Sequence, residues 1–220
     1  PAFALRCVDA LRRVVLEDEN ASVRFQAAYN LVICAKDLRQ EDSKEPALLC
    51  ATGLREFSER GRDAIDRQLA ARGLSDIAQY RGAADDALTE ESITALSSLA
   101  RRDEDSGVRL YAATLLEECA VSCPGSASSR CVASLEALAA KGREASDRMN
   151  GADRLVEAAR AFAGSDRKDA AERCVAVVEE LAREDPDAEV RAYASRALEG
   201  LCEEEGCGEA PDGPRGEAPR

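Results

Sequence analysis

Three stretches, Asp18 to Leu31 (DENASVRFQAAYNL), Asp103 to Leu116 (DEDSGVRLYAATLL) and Asp185 to Leu198 (DPDAEVRAYASRAL), align without a gap, and their reading decides the fold. In each, an acidic turn runs into a Val-Arg pair. Val23, Val108 and Val190 are followed four residues later by Ala27, Ala112 and Ala194, and eight later by Leu31, Leu116 and Leu198. Residues spaced this way share one face of an α-helix, so the pattern predicts an amphipathic helix with an apolar side. Asn20, Asp105 and Asp187 stand just before it, where a short side-chain acceptor satisfies free backbone N–H groups, and they are read as N-caps.

A second motif lies upstream of each turn. Cys7 to Val14 (CVDALRRV) recurs as Cys50 to Phe57 (CATGLREF), Ser92 to Leu99 (SITALSSL), Cys131 to Leu138 (CVASLEAL) and Cys174 to Leu181 (CVAVVEEL), with start-to-start spacings of 43, 42, 39 and 43 residues. A small residue comes first, an aliphatic four further on and another apolar three after that, which predicts a first helix present in five copies. A pair of Ala-rich helices of this length cannot bury its apolar surface alone, whereas stacked pairs share a continuous core.

A first helix, an acidic turn, then Val-Arg opening a second helix with Ala four residues on, resembles HEAT repeats and their armadillo-type, HEAT-like relatives over residues 2–202. The resemblance implies an all-α fold, a right-handed α-solenoid of about five HEAT-like helix pairs and about ten helices occupying 1–202. It also implies a structural ladder between repeats, built from turn aspartates and Val-Arg guanidiniums, which here falls on Asp18, Arg24, Asp103, Arg109, Asp185 and Arg191. The second and fourth copies depart from the pattern. Ile65 and Leu69 continue a second helix near 62–80, and Leu155, Ala159 and Phe162 another near 151–164, but neither follows Asp-x-Asp and Val-Arg, so longer or bent turns are expected there. Segments 36–46, 81–91 and 142–151 read as loops, and 203–220 (EEEGCGEAPDGPRGEAPR) as a flexible acidic tail.

The 220 residues carry 30 basic against 43 acidic side chains, a net charge of −13, which repels nucleic-acid phosphate and argues against direct nucleic-acid binding. There is no His, so the commonest general base and metal ligand is missing. No phosphate-binding glycine loop and no Gly-x-Ser-x-Gly elbow is present, and the adjacent carboxylates, such as Glu17 with Asp18 and Glu117 with Glu118, read as solvated faces. No apolar run reaches the roughly 18 residues of a membrane span, and Pro1 to Leu16 reads as an amphipathic helix, not as a secretory leader. Catalytic, cofactor and metal residues are therefore expected to be none.

Nine cysteines make an odd, unclustered set, which points to a reducing intracellular compartment over a disulfide framework. Cys7, Cys50, Cys131 and Cys174 share a repeat position with Ser92, and Cys34 and Cys119 share one with Leu201, so six of the nine are read as core. Cys123, Cys202 and Cys207 are left over. Cys119, Cys123 and Cys131 give three thiolates without a fourth ligand for zinc, and a Cys123–Cys131 disulfide fits the intervening loop length.

The function expected is that of a non-enzymatic protein–protein interaction scaffold, an accessory or assembly subunit of a larger complex, holding a partner such as a basic segment on its concave face. The alternative implied by the resemblance is a HEAT-like bilin lyase or chromophore-attachment chaperone for phycobiliproteins, with Tyr111, Tyr193 or a free thiol as contacts.

Overall fold

The computed structural model describes residues 2–38, 44–81 and 86–204, with side chains at all of these positions except 81, 86 and 202–204. The described residues form ten helices and no strand: α1 (Ala2–Glu17), α2 (Ala21–Asp37), α3 (Lys44–Arg60), α4 (Ala64–Arg81), α5 (Asp86–Arg102), α6 (Ser106–Ser122), α7 (Gly125–Lys141), α8 (Ala145–Ala163), α9 (Lys168–Glu184) and α10 (Ala188–Glu204). They pair as first and second helices of five repeats, and every pair is closed by a three-residue turn, at 18–20, 61–63, 103–105, 142–144 and 185–187. The second and fourth turns are thus as short as the others. What differs is their chemistry, taken up below.

Several expected boundaries move. α8 begins at Ala145, so most of 142–151 is helical; Asp147 lies in its first turn, where an acid is favoured by the helix dipole, and the polar composition belongs to that turn. α5 likewise begins at Asp86, inside the stretch 81–91 read as loop. Of 36–46, the part from Lys44 is helical and 39–43 lies outside the described residues. α10 continues to Glu204, two residues past the expected limit of the repeats, and the acidic tail from 205 onward lies outside the described residues.

The three aligned motifs nucleate their helices as their caps suggest. Asn20 accepts from Ser22 N–H at 2.9 Å, Asp105 from Val108 N–H at 3.0 Å and Asp187 from Glu189 N–H at 2.8 Å. Behind the caps the apolar stripes go inward: Ala27, Leu31, Ala112, Leu116 and Ala194 are buried. The small-residue column is buried too, with Cys50, Ser92, Cys131 and Cys174 enclosed and Cys7 partly so. Ala and Cys at these sites let helix axes approach closely, and the core extends through all five pairs. The second helices pack more closely on one another than the first helices do, and α5, α7 and α9 are progressively less engaged with each other. The array therefore curves with α2, α4, α6, α8 and α10 on its inner side. Among the described residues no helix is long and apolar enough to cross a membrane.

Candidate functional site

A guanidinium on each second helix ties consecutive repeats together. Arg24 donates through Nη1 to the carbonyls of Asp18 and Glu19 in its own turn, at 3.1 and 3.0 Å, and through Nε and Nη2 to the Asp66 carboxylate of the next repeat at 3.0 to 3.2 Å. Arg67 repeats this, donating to the Gly61 carbonyl at 3.5 Å and to Asp103 at 2.8 and 3.0 Å. Arg109 reaches the Asp103 and Glu104 carbonyls and then Asp147 at 2.7 Å, with Glu144 3.1 Å from its Nη2. Arg148 donates to the Gly142 carbonyl and to Asp185 at 2.7 and 3.1 Å. Arg191 completes the series with the carbonyls of Asp185 and Pro186 at 2.6 and 3.2 Å. Of the six residues expected in a ladder, Asp103, Asp185, Arg24 and Arg109 sit in links between repeats. Asp18 and Arg191 stand at its two ends, with no ion pair to a neighbouring repeat among the described residues. The links also use Arg67, Arg148, Asp66 and Asp147, which the motif search leaves out.

The missed residues share a signature. Arg24, Arg67, Arg109, Arg148 and Arg191 follow one another at 43, 42, 39 and 43 residues, the spacings of the first-helix motif. At the turn position, however, Asp18, Asp103 and Asp185 alternate with Gly61 and Gly142, while the residue before the arginine alternates between Val23, Val108, Val190 and Asp66, Asp147. Even turns read GRDAIDR (Gly61 to Arg67) and GREASDR (Gly142 to Arg148). The carboxylate has moved from the turn onto the helix yet occupies the same place: Asp18, Asp103 and Asp185 accept from the backbone N–H of Asn20, Asp105 and Asp187, and Asp66 and Asp147 accept from Arg62 and Glu144 N–H at 3.1 Å. Glycine is required there, because a Cβ on Gly142 would lie 2.6 Å from the Leu138 carbonyl oxygen and 2.9 Å from Asp147 Cβ, and one on Gly61 would lie 2.8 Å from both Phe57 O and Asp66 Cβ.

Arg24, Arg67, Arg109 and all four aspartates that receive a guanidinium from the preceding repeat are buried. Burial alone would raise Asp185, but the Arg148 hydrogen bonds, the Asp187 N–H and the nearby positive charges outweigh it and hold its carboxyl below the ordinary range. Arg67 and Arg148 are raised, first by their hydrogen bonds to Asp103 and Asp185. The geometry of each link is the same: a buried carboxylate accepts from a guanidinium of the preceding repeat and from a backbone N–H beside it.

The inner face is the surface this ladder holds in shape. Phe25, Tyr29 and Ile33 expose large apolar side chains on successive turns of α2, and Leu110, at the repeat position of Phe25, does so on α6. Farther along, the acids of this face are matched by bases from the same or an adjacent second helix. Arg72 meets both Asp76 and Glu118 at 3.1 Å, Lys36 lies 3.7 Å from Asp76, and Arg154 lies 3.5 Å from Glu117. Burial nonetheless raises Glu117 above the usual carboxylate range. Tyr193 donates to Asp153 at 3.2 Å, and Tyr111 packs partly buried against the core. The acidic clusters at 17–19 and 103–105 fall at the turns between paired helices, along an edge of the array.

Three of the thiols converge. Ser75 Oγ lies 3.4 Å from Cys119 Sγ, Gln79 Nε2 donates to that sulfur at 3.9 Å and Cys123 donates to the Ala78 carbonyl at 3.6 Å. Hydrogen bonding among the three thiols holds Cys119 below the ordinary thiol range and pushes Cys123 and Cys131 up. Burial raises Cys50 to about 12 and Cys174 to about 11. All seven described cysteines are free, and no group of three or more Cys, Asp or Glu among the described residues is arranged to hold a metal ion. Cys202 and Cys207 lie outside the described side chains.

Five helix pairs, a buried arginine–aspartate ladder and an open inner face define an α-helical repeat protein, a short solenoid of HEAT-like pairs. No protein-family model matches the sequence, and no curated protein is significantly similar to it. Among solved structures it is similar to an engineered protein from the Northeast Structural Genomics Consortium, with 23% identity over 92% of this chain and 85% of the other and a TM-score of 0.44. A second engineered protein from the same consortium shares 19% identity over 88% of this chain and 98% of its own, with a TM-score of 0.42. A designed armadillo repeat protein in complex with the peptide (KR)4 shares 14% identity over 91% and 90% of the two chains, with a TM-score of 0.44.

Proposed function

We propose that this chain is a non-enzymatic protein-interaction scaffold, an accessory or assembly component of a larger complex, that holds a segment of its partner on the inner face. The observation that carries the reading is the row formed by Phe25, Tyr29 and Ile33, three large apolar side chains left exposed on the inner side of α2 while the equivalent core positions beneath them are filled. Contiguous exposed apolar side chains of this kind mark interaction sites. The paired charges along α4, α6 and α8 fix the rest of the groove as a rigid, mixed-charge wall that orients the segment. An apolar anchor at the α2 end with polar contacts beyond it is the arrangement we assign.

The test is capture of the native partner with wild-type protein and with a Phe25→Asp, Tyr29→Asp variant, washed at low and high salt. The reading expects partner retention that survives high salt in the wild type and is lost in the variant, with thermal stability unchanged. Retention by the variant places the contact elsewhere. Retention that disappears at high salt in the wild type indicates a basic segment held through carboxylates.

A further inference from the structure

Each boundary between neighbouring first helices is crossed by an ion pair. At three of the four, the crossing residue stands five places after the small residue of the column: Arg12 reaches Glu56 at 3.0 Å, Arg55 reaches Glu91 at 2.6 Å, and Glu136 accepts from Arg173 at 2.5 and 2.6 Å. On α5 the same position is Ser97, whose side chain is too short to span the gap. The pair at this boundary, Arg130 with Glu90 at 2.7 Å, lies two turns nearer the N-terminus of α5 and is exposed. The middle of the α5–α7 boundary is therefore left open, as a cleft of about 470 Å³ on the outer side of the array.

The lining of this cleft is unlike the rest of the surface. Arg101, Arg102 and Arg130 share it with the hydroxyls of Thr94, Ser97 and Ser98, and no carboxylate lines it. Four other clefts of the array are each lined by two or more acids, in keeping with a net charge of −13. Arg101 and Arg102 have no hydrogen bond or ion pair among the described residues. The hydroxyls are idle as well. Ser92, Thr114, Ser134 and Ser195 donate to the carbonyl four residues back, whereas Thr94, Ser97 and Ser98 have no hydrogen-bond partner among the described residues. The helix dipole favours two cations in the last turn of α5, but it gives no reason for them to share one cleft with Arg130 from the second turn of α7.

We propose that this cleft binds a phosphorylated serine or threonine carried by a segment of a protein partner. Three guanidiniums offer planar donor forks to a group with a charge of roughly −1.5 to −2 and three strong acceptor oxygens, and the three hydroxyls supply further donors. A single carboxylate, with one charge and two oxygens, leaves most of these donors unused. Arg130 turns from Glu90 to the phosphate, an easy exchange because an exposed ion pair is weak. The site is built on first helices, away from Phe25, Tyr29 and Ile33 on α2, and is independent of the inner-face contact.

The probe is a short Gly- and Ala-based peptide carrying one phosphoserine, titrated into the full chain by calorimetry at low salt. Its comparators are the same peptide with serine, the same peptide with glutamate, and inorganic phosphate. The phosphopeptide is expected to bind with a dissociation constant below about 1 mM, and each comparator at least about tenfold more weakly. Ser97→Glu gives α5 the residue that Glu136 supplies on α7, so it closes the cleft onto Arg130 and is expected to weaken phosphopeptide binding at least about tenfold, with helicity and thermal midpoint unchanged. Arg101→Gln combined with Arg102→Gln is expected to cause a loss of the same size. Arg13→Gln combined with Lys168→Gln, which removes two exposed cations outside the cleft, is expected to leave binding within about twofold. No binding of the phosphopeptide up to about 10 mM overturns the proposal. So does equal binding of any comparator, binding that Ser97→Glu leaves intact, or a loss shared equally by the Arg13 and Lys168 variant, because those results describe general charge attraction or a site elsewhere.

Discussion

Odd and even turns of this solenoid solve one problem with different residues. Asp103 holds its carboxylate at the turn and lets Val108 enter the core behind it; Gly142 vacates the turn so that Asp147 can fold back over it from the helix. Both deliver a buried acceptor to the arginine of the preceding repeat and to a backbone N–H of the turn. What is preserved is the location of a charge, not the residue that carries it.

The largest effect expected separates the interior of the ladder from its end. Arg109→Met leaves Asp147 buried without its Nε donor and should lower unfolding free energy by about 3–5 kcal/mol in urea titrations. Arg191→Met, whose guanidinium reaches turn carbonyls without a carboxylate link, should cost under about 1 kcal/mol. Equal losses would mean that the links are not the source of the ladder's stability.

A swap between the turn types sharpens the comparison next. Gly142→Asp alone forces a side chain against Leu138 O and Asp147 and should cost about 1–3 kcal/mol, while Asp147→Val alone strips Arg109 of its partner. The double variant rebuilds an odd turn, so its loss should fall short of the summed single losses by at least about 1 kcal/mol. Strict additivity would show that the two solutions are not interchangeable.

Smaller again is the cap. Asp105→Ala removes the acceptor for Val108 N–H and should cost about 0.5–2 kcal/mol, visible as a lower thermal midpoint. The smallest effect is in pH. Because the Asp185 carboxyl is held below the ordinary range, its contribution is complete above the unfolded-state value of about 4 and is lost as pH falls through the lower folded-state value. The stability gap between wild type and Asp185→Asn should therefore narrow as pH drops below about 4; a gap independent of pH would assign that stability to packing.

The helix pairs were legible because their signals are local: an apolar stripe, a short N-cap and a small residue recur at a steady period. Half of the ladder was not, because a search for Asp-x-Asp and Val-Arg looks for residue identity at fixed places, whereas at Gly61 and Gly142 the acid has moved five residues along the chain to return to one point in space. Comparing the even turns with each other, GRDAIDR with GREASDR, recovers them. The exposed row on α2 was hidden for another reason. Phe25 and Tyr29 sit in a motif shared with buried helices, and only the curvature that turns the second helices inward shows which side of them meets solvent.

The cysteine column, finally, gives the molecule an internal set of reporters. Cys7, Cys50, Cys131 and Cys174 occupy one structural position in the first, second, fourth and fifth repeats, with Cys7 partly open and the others enclosed as free thiols. In a chain whose repeats contact only their neighbours, opening spreads along one dimension. The order in which these four sulfurs meet an alkylating reagent is then a map of where the array unzips, written in the native sequence without an added label.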